Sequence, residues 1–399
     1  MKTEFERIKR LPPYIFSEIN NLKAELRIKG KDIVDLGMGN PDMPTPKHIR
    51  DKLKETIDKP GTGRYSSSKG IVGLRKAHAN YYKKRFNVPL DFNKEVIVTL
   101  GSKEGLANLA QAITSKGDKI ICPNPSYPIH PYGFAIAGAK LQHIKTINDN
   151  GTFDPNLYLE QIKNTLSNNH NKVKAIIVSF PSNPTAQVVD LNFYKKLVSI
   201  AIKNEAYILS DLAYAEIYYD DNPPPSILQV DNAKDVAVEF TSMSKTFAMA
   251  GWRIGFAAGN VKLIESLTRI KSYLDYGAFT PIQVAAASAL NGPQDCVNEI
   301  RETYQKRRDV LIESMRRIGW DIPKPSASMF AWAPIPEPYK NKGSMKFAKE
   351  LMIKADVAVA PGIAFGEFGE GFVRIGLVEN VQRIRQAVRN IKEYFKLNN

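Results

Sequence analysis

The chain alternates between short apolar runs of strand length and longer stretches with helical periodicity. Between Glu95 and Phe240 there are six apolar runs, most of them followed by a turn rich in Gly, Pro, Ser or Asn: EVIVTL, DKIICPN, KLQHI, KAIIVSF, YILSD and VAVEF. Strands that alternate with helices form a mostly parallel sheet covered by helices on both faces. Ligands on such sheets bind at the carboxyl ends of the strands. The pattern therefore predicts an α/β fold whose functional residues follow its strands.

The two ends of the chain have a different pattern. Residues 1–30 form a basic arm with an amphipathic helix that begins near Tyr14. After a long charged helix at about 294–318, strands are followed by a last basic helix, which predicts a smaller α+β domain. We therefore expect three segments: an N-terminal arm with part of the small domain (1–45), a large domain (46–295) and a small C-terminal domain (296–399).

Composition narrows the class of protein. The 399 residues are 43% apolar and 24% charged, as in an ordinary globular protein. Cys122 and Cys296 are too few for a disulfide framework and have no metal-ligand spacing, so we expect a reducing, cytoplasmic location and no metal site. No signal peptide and no membrane-spanning run is evident. The net charge of +15 raises nucleic acid as a partner, but the lysines are scattered over most predicted helices, so we expect neither a nucleic-acid nor a membrane partner.

The candidate chemistry centres on the stretch VEFTSMSKTFAMAGWRIGFAAGN, which runs from Val238 to Asn260. A strand leads into a serine-rich turn containing Ser242, and Lys245 follows among small residues. A lysine at the mouth of an apolar pocket is easily desolvated, so its amine can be neutral and nucleophilic. Arg253 lies further on in a glycine-bracketed loop, where it could bind phosphate. Together these residues indicate a phosphorylated cofactor whose carbonyl group forms a Schiff base with the lysine.

Polar residues at other predicted strand ends suit the same cofactor. Asp211 ends an apolar strand, where an unpaired carboxylate would be costly, so it should face a cation such as a protonated pyridine nitrogen. Ser102 and Lys103 open a helix whose free N–H groups and dipole favour phosphate. Three more residues could stack on the ring or hydrogen-bond to it: Tyr127, Asn183 and Tyr214. Each has an ordinary alternative as a cap or turn residue, but their joint placement at strand ends favours a site.

The motifs resemble those of the class I/II aminotransferases, which are pyridoxal-phosphate enzymes of fold type I. The matching segments extend over essentially the whole chain: GNPD, RYSSSKGIVGLR, NPSYPIH, FPSNPTA, SDLAY, SMSKTFAMAGWRIG and FVRIGL. Within the family, RLPPYIF, GSKEGLANL and PGIAFGEFGEGFVR are most similar to the bacterial glutamate–pyruvate aminotransferases, or alanine transaminases. The resemblance implies a large domain with a mostly parallel seven-stranded sheet, a smaller α+β domain, and a homodimer with active sites at its interface.

The resemblance also implies a role for each candidate residue. Lys245 would hold the cofactor covalently and later move a proton between it and the substrate. Asp211 would pair with the ring nitrogen, and the phenolate oxygen and ring face would be contacted by Asn183, Tyr214 and Tyr127. The phosphate would be held by Ser102, Lys103, Ser242 and Arg253, with Tyr65 of the partner subunit. The substrate α-carboxylate would be bound by Arg374, Asn183 and the backbone at Gly39. Arg374 is also a lone charge in an apolar strand, which calls for an anionic partner.

One departure from the family bears on the substrate. Aspartate-specific members use an arginine of the neighbouring subunit for the distal carboxylate, and the segment Tyr273–Phe279 contains none. A pocket bounded by aromatics such as Tyr14 and Tyr276 favours a small side chain, so we expect alanine with 2-oxoglutarate as substrates. The glutamate side chain would then be met by Arg64 or a mobile lysine.

Other readings remain open from the residues alone. LL-diaminopimelate or aspartate aminotransferases share much of the pattern. A β-lyase for cystathionine-like substrates uses the same covalent chemistry, but it would release pyruvate and ammonia without an added oxo acid. A cofactor-sensing transcription regulator would need a DNA-binding domain, for which residues 1–30 leave little room.

Overall fold

The computed structural model describes residues 5–148, 151–167 and 172–396. Its strands are β1 Val34–Asp35, β2 Val96–Thr99, β3 Lys119–Asn124, β4 Lys140–Lys145, β5 Val173–Ser179, β6 Tyr207–Asp211, β7 Ala237–Ser242, β8 Gly255–Gly259, β9 Phe330–Pro334, β10 Val357–Ala358, β11 Ala360–Pro361 and β12 Phe372–Gly376. Its α-helices are α1 Glu6–Lys9, α2 Ile15–Ile28, α3 Lys47–Ile57, α4 Val72–Phe86, α5 Ser102–Ile113, α6 Ile129–Ala137, α7 Pro155–Ser167, α8 Leu191–Lys203, α9 Ala233–Val236, α10 Met243–Thr246, α11 Val261–Leu274, α12 Thr280–Asn291, α13 Asp295–Arg317, α14 Glu337–Lys340, α15 Ser344–Ala355 and α16 Val381–Lys396.

A seven-stranded sheet lies at the centre of the molecule, with strand order β2-β8-β7-β6-β5-β3-β4. Strand β8 is antiparallel to both of its neighbours, whereas β7, β6, β5, β3 and β4 are parallel to one another. The prediction of a mostly parallel seven-stranded sheet is therefore confirmed. Because β8 is reversed, the residues that precede Gly255 lie at the same edge of the sheet as those that follow Thr99 and Ser242, both of which pair with Gly255. This edge contains the candidate site.

Adjacent residues of the central strands enter opposite apolar clusters. Ile121, Ile176 and Ile208 pack in the cluster that includes residues of α4, α7 and α8. Their chain neighbours Ile120, Ile177 and Leu209 pack in the cluster that includes residues of α5, α6 and α11. Alternate side chains of a strand point to opposite faces, so a strand with helices on both faces must be apolar at every position. This explains the continuous apolar runs in the sequence.

A third cluster joins the two ends of the chain. Ile19 of α2 and Leu36 pack with residues of α13, α15 and α16, among them Leu311, Leu351 and Ile384. Strand β1 pairs in parallel with β10, and β11, β12 and β9 form a separate antiparallel sheet. The N-terminal segment thus packs in the same cluster as the C-terminal part. The domain boundaries at 45/46 and 295/296 stay a prediction.

The segment VAVAPG is divided between two sheets. Val357–Ala358 pairs with β1, while Ala360–Pro361 pairs with β12, where Ala360 lies opposite Arg374. The loop that follows β1 is thereby brought beside Arg374. Among the described residues, no helix combines the length and apolar composition that a membrane span requires.

Candidate active site

A cavity of about 370 Å³ opens where the carboxyl edge of the large sheet meets the C-terminal part. Of the residues predicted to contact the cofactor or the substrate α-carboxylate, all except Tyr65 line it: Gly39, Ser102, Lys103, Tyr127, Asn183, Asp211, Tyr214, Ser242, Lys245, Arg253 and Arg374. These residues are spread over most of the chain. The carboxyl edge of the large sheet brings most of them together, while Gly39 follows β1 and Arg374 lies in β12 of a separate sheet.

Lys245 is positioned by the turn that ends β7. The side chain of Ser242 caps the short helix α10 by accepting a hydrogen bond from the backbone N–H of Ser244, with an O–N distance of 3.2 Å. A cap of this kind satisfies a donor that the first helical turn would otherwise leave unpaired. The capped turn gives the backbone before Lys245 a defined position at the cavity.

The amine of Lys245 lies in a desolvated, cationic environment. Its Nζ donates a hydrogen bond to the carbonyl oxygen of Gly39 at 2.8 Å. Burial, together with the charges of Arg374 and Arg253, lowers the pKa of Lys245 to about 8. At neutral pH a useful fraction of this amine is therefore unprotonated, as a nucleophile or a proton carrier requires.

Asp211 is held at the end of β6 by two donors. Its Oδ1 accepts a hydrogen bond from the backbone N–H of Ala213 at 3.1 Å, and its Oδ2 lies 2.9 Å from Nε2 of His130. His130 is fully buried on α6, and its Nδ1 has no partner in the described part of the chain. Sequence reasoning missed His130 although it lies in the motif NPSYPIH. The fixed carboxylate lines the cavity and can pair with a cationic ring nitrogen.

One end of the cavity, called the phosphate cradle below, contains groups that could hold a phosphate. Gly101 precedes α5 with φ of +86°, and a Cβ there would lie 2.2 Å from Nη2 of Arg253. A Cβ on Gly255 would lie 2.6 Å from the backbone nitrogen of Ser102. The same Nη2 of Arg253 donates to the carbonyl oxygen of Leu100 at 3.0 Å. Because both glycines allow close approach, the guanidinium lies beside the free N–H groups of a helix N-terminus, an arrangement that binds phosphate.

The other end of the cavity surrounds Arg374. Its guanidinium carbon lies 4.0 Å from the ring centroid of Phe330 and 4.7 Å from that of Phe365. Nη1 donates to Oδ1 of Asn183 at 2.8 Å, and Nη2 donates to the carbonyl oxygen of Gly37 at 3.0 Å. Nε has no partner among the described residues, and burial lowers the pKa of Arg374 to about 10. A buried guanidinium with only neutral acceptors is suited to an anionic ligand.

Three tyrosines surround the space between the two ends. Burial raises the pKa of both Tyr214 and Tyr127, so each keeps its phenolic proton near neutral pH and can donate a hydrogen bond. Lys103 lies over the ring of Tyr127, with Nζ 5.7 Å from the centroid. Tyr14 is at the rim, and its ring packs on Phe16, which also lines the cavity.

Tyr65 lies outside this cavity. It is 86% exposed, and its ring centroid is 4.5 Å from that of Tyr276, which is also exposed. Tyr276 does not line the cavity either, so the expectation that it bounds the substrate pocket is not met within one chain. Two exposed tyrosines thus pack against each other outside the cavity.

The cavity fits a flat cofactor with a phosphate at one end. A fixed carboxylate, a phosphate cradle and a desolvated lysine line one space, with a second anion site at Arg374. The family described as aminotransferase class I and II matches residues 31–391. The chain therefore belongs to the class I and II aminotransferases.

Three curated relatives cover almost the whole chain. AatC of Rhizobium meliloti, provisionally named an aminotransferase, is 57% identical over 98% of this chain and 95% of its own length. The glutamate–pyruvate aminotransferase AlaC of Escherichia coli is 49% identical over 98% of this chain and 94% of its own. An LL-diaminopimelate aminotransferase of Dehalococcoides mccartyi is 41% identical over 98% of each chain.

A solved structure has the same fold. Substrate-bound BacF of Bacillus subtilis superimposes with a TM-score of 0.90 at 32% identity, over 99% of this chain and 98% of that one. The protein is thus an aminotransferase of fold type I, its cofactor is pyridoxal phosphate, and its substrates are amino acids and oxo acids.

Proposed function

We propose that the protein exchanges amino groups between alanine and 2-oxoglutarate, giving pyruvate and glutamate in two half-reactions at one site. The observation that carries this choice is the wall around Arg374, where Phe330, Phe365 and Phe16 line the cavity. An aromatic wall with a single guanidinium suits a substrate with one obligatory carboxylate and a small side chain. The 49% identity to a glutamate–pyruvate aminotransferase supports the same choice.

Each half-reaction needs an amine to be exchanged and a proton to be moved. Bound pyridoxal phosphate supplies the carbonyl carbon that takes the amino group and a ring that withdraws electrons from the substrate Cα. We propose that Asp211 keeps the ring nitrogen protonated, and that Nζ of Lys245, once free, carries the Cα proton. Because the pKa of this amine is lowered to about 8, it can accept the proton near neutral pH and release it again.

The substrate would be oriented by its α-carboxylate. The two terminal nitrogens of Arg374 present a flat fork to the cavity, and Asn183 holds one branch of it at 2.8 Å. A carboxylate paired with this fork would have a fixed plane. Such orientation would direct the bond broken at Cα towards Lys245, which lines the same cavity.

We further propose a homodimer in which Tyr65 of the partner subunit completes the phosphate cradle. Exposed aromatic residues cluster along two segments that this proposal would cover: Tyr65, Tyr273, Tyr276 and Phe279. Arg64 adjoins Tyr65 and is exposed, so the same segment would carry a cation towards the distal carboxylate of glutamate.

The dimer predicts complementation between two defective subunits. A Lys245→Ala protein and a Tyr65→Ala protein should each be nearly inactive, because each lacks one component of every site. When the two are mixed and exchange subunits, hybrid dimers should contain one site with both components and regain up to about a quarter of wild-type activity. The measurement is activity after mixing, with each variant alone as the control. A monomer that is fully active in solution would contradict the proposal.

The substrate choice is tested by single-turnover spectroscopy of the purified enzyme with alanine, glutamate, aspartate or LL-diaminopimelate. We expect the cofactor to be converted to its amine form faster by alanine and glutamate than by the other two. The main alternative is an LL-diaminopimelate aminotransferase, because one such relative is 41% identical to this chain. If LL-diaminopimelate or aspartate reacts much faster than alanine, the family assignment stands and the proposed substrate is wrong.

A further inference from the structure

A buried lysine outside the cavity connects the phosphate cradle to a second segment. Lys271 on α11 has no exposed surface, and its Nζ lies 2.8 Å from Oε1 of Glu104 and 2.7 Å from Oδ2 of Asp275. Lysine is almost never fully buried unless it is paired. Removing one member of such a group leaves uncompensated charge, so its geometry is strongly constrained.

Glu104 transmits this constraint to the phosphate cradle. Its Oε2 accepts a hydrogen bond from the backbone N–H of Leu100 at 2.8 Å, and the carbonyl oxygen of Leu100 accepts one from Arg253 at 3.0 Å. Glu104 is in the first turn of α5, two residues after Ser102. The carboxylate of Glu104, paired with Lys271, therefore holds the turn at Leu100. This turn leads into the N-terminus of α5 and contains the carbonyl group that accepts the hydrogen bond from Arg253.

Asp275 connects Lys271 to the segment that contains Tyr65 and Ser68. Its Oδ1 accepts a hydrogen bond from the backbone N–H of Gly277 at 2.6 Å, and its backbone carbonyl accepts one from the hydroxyl of Ser68 at 2.5 Å. Tyr276 lies between Asp275 and Gly277 in the chain, and its ring packs against that of Tyr65. The segment that carries Tyr65 thus rests on the turn that Asp275 shapes.

We propose that Lys271 is a positioning residue for cofactor phosphate. It contacts neither substrate nor cofactor; it ties the cradle formed by α5 and Arg253, and the segment that carries Tyr65, to one buried charge. The inference rests on the proposed phosphate site and deepens it. It assigns to α11 a role in selecting the phosphorylated form of the cofactor.

The test compares two forms of the cofactor that differ only in the phosphate. Apoenzyme is prepared from wild type, from Lys271→Met, and from Lys262→Met, a control at an exposed lysine of the same helix. Dissociation constants are measured for pyridoxal phosphate, for pyridoxal and for inorganic phosphate. We expect Lys271→Met to raise the dissociation constants of pyridoxal phosphate and inorganic phosphate by about tenfold or more. The dissociation constant of pyridoxal should rise by less than about twofold. The control should match wild type.

The outcome separates positioning from general destabilisation. Equal weakening of pyridoxal and pyridoxal phosphate, or no weakening of either, overturns the proposal. If Lys271→Met does not fold, the triple variant with Glu104→Gln and Asp275→Asn removes all three charges, and the same comparison decides. Arg253→Met is measured in parallel. If that variant keeps its phosphate affinity, the proposed phosphate site is wrong and the role of Lys271 falls with it; if it loses affinity while Lys271→Met does not, only the role of Lys271 is wrong.

Discussion

Lys245→Ala should lower the turnover number by at least about a thousandfold, because the variant loses both the nucleophilic amine and the proton carrier. Binding of pyridoxal phosphate should be weakened much less. The phosphate cradle at Ser102 and Arg253 and the carboxylate of Asp211 are on other elements and remain in place. The variant should therefore bind the cofactor without a covalent bond, and half-reactions with alanine should become extremely slow.

The covalent bond between Lys245 and the cofactor can also be tested by chemical reduction of the wild-type enzyme. Borohydride treatment of wild-type enzyme should leave the mass of the reduced cofactor on the peptide that contains Lys245. The same treatment should leave the Lys245→Ala protein unlabelled. Lys262→Ala, at an exposed lysine of α11, serves as the matched control and should retain both labelling and activity. Near-normal transamination by Lys245→Ala would refute the role given to this residue.

The residues whose place at the edge of the sheet could be predicted from the sequence are those whose position follows from one strand. Asp211 ends a continuous apolar run, and the register of the sheet places it beside Ser179 and Phe240 at the carboxyl edge. A rule about strand ends was enough to bring it into the cavity with Lys245 and Ser102. Arg253 lies at the same edge although it precedes its strand, because β8 runs antiparallel to its neighbours.

The residues that were missed depend on how helices pack against the sheet. His130 meets Asp211 only because α6 turns its ring towards β6, and no local pattern encodes that contact. Lys271 did leave a signal in the sequence. It continues the spacing of the buried residues Leu263 and Leu267 at intervals of four, so it extends the apolar face of α11. A lysine on the buried face of a helix requires an anionic partner in the fold.

The surroundings of Arg374 were also only partly predictable. The lone charge in FVRIGL indicated an anionic partner, but Phe330 comes from β9 and Phe365 from the short 3-10 helix Gly362–Phe365. Their contribution depends on the antiparallel pairing of β9 with β12 and on the split between β10 and β11. Neither feature follows from the pattern of a single segment.

Arg374→Lys should lower kcat/KM by about a hundredfold or more, and by a similar factor for every amino acid that the enzyme accepts. A lysine cannot reproduce the flat fork of the guanidinium, so the α-carboxylate would lose one of two parallel hydrogen bonds and its fixed plane. The ammonium would also be left among aromatic rings and neutral acceptors without a good geometric match. Because all amino acids share the α-carboxylate, the loss should not depend on the side chain.

That uniformity distinguishes an α-carboxylate site from a site for the substrate side chain. The assay compares kcat/KM for alanine and glutamate in wild type, in Arg374→Lys, and in Arg385→Lys, a control at an exposed arginine of α16. If the ratio of kcat/KM for alanine to kcat/KM for glutamate stays within about threefold of the wild-type ratio, Arg374 binds the α-carboxylate that both substrates share. If kcat/KM falls far more for glutamate than for alanine, Arg374 binds the distal carboxylate instead, and the substrate must enter the cavity in the opposite orientation.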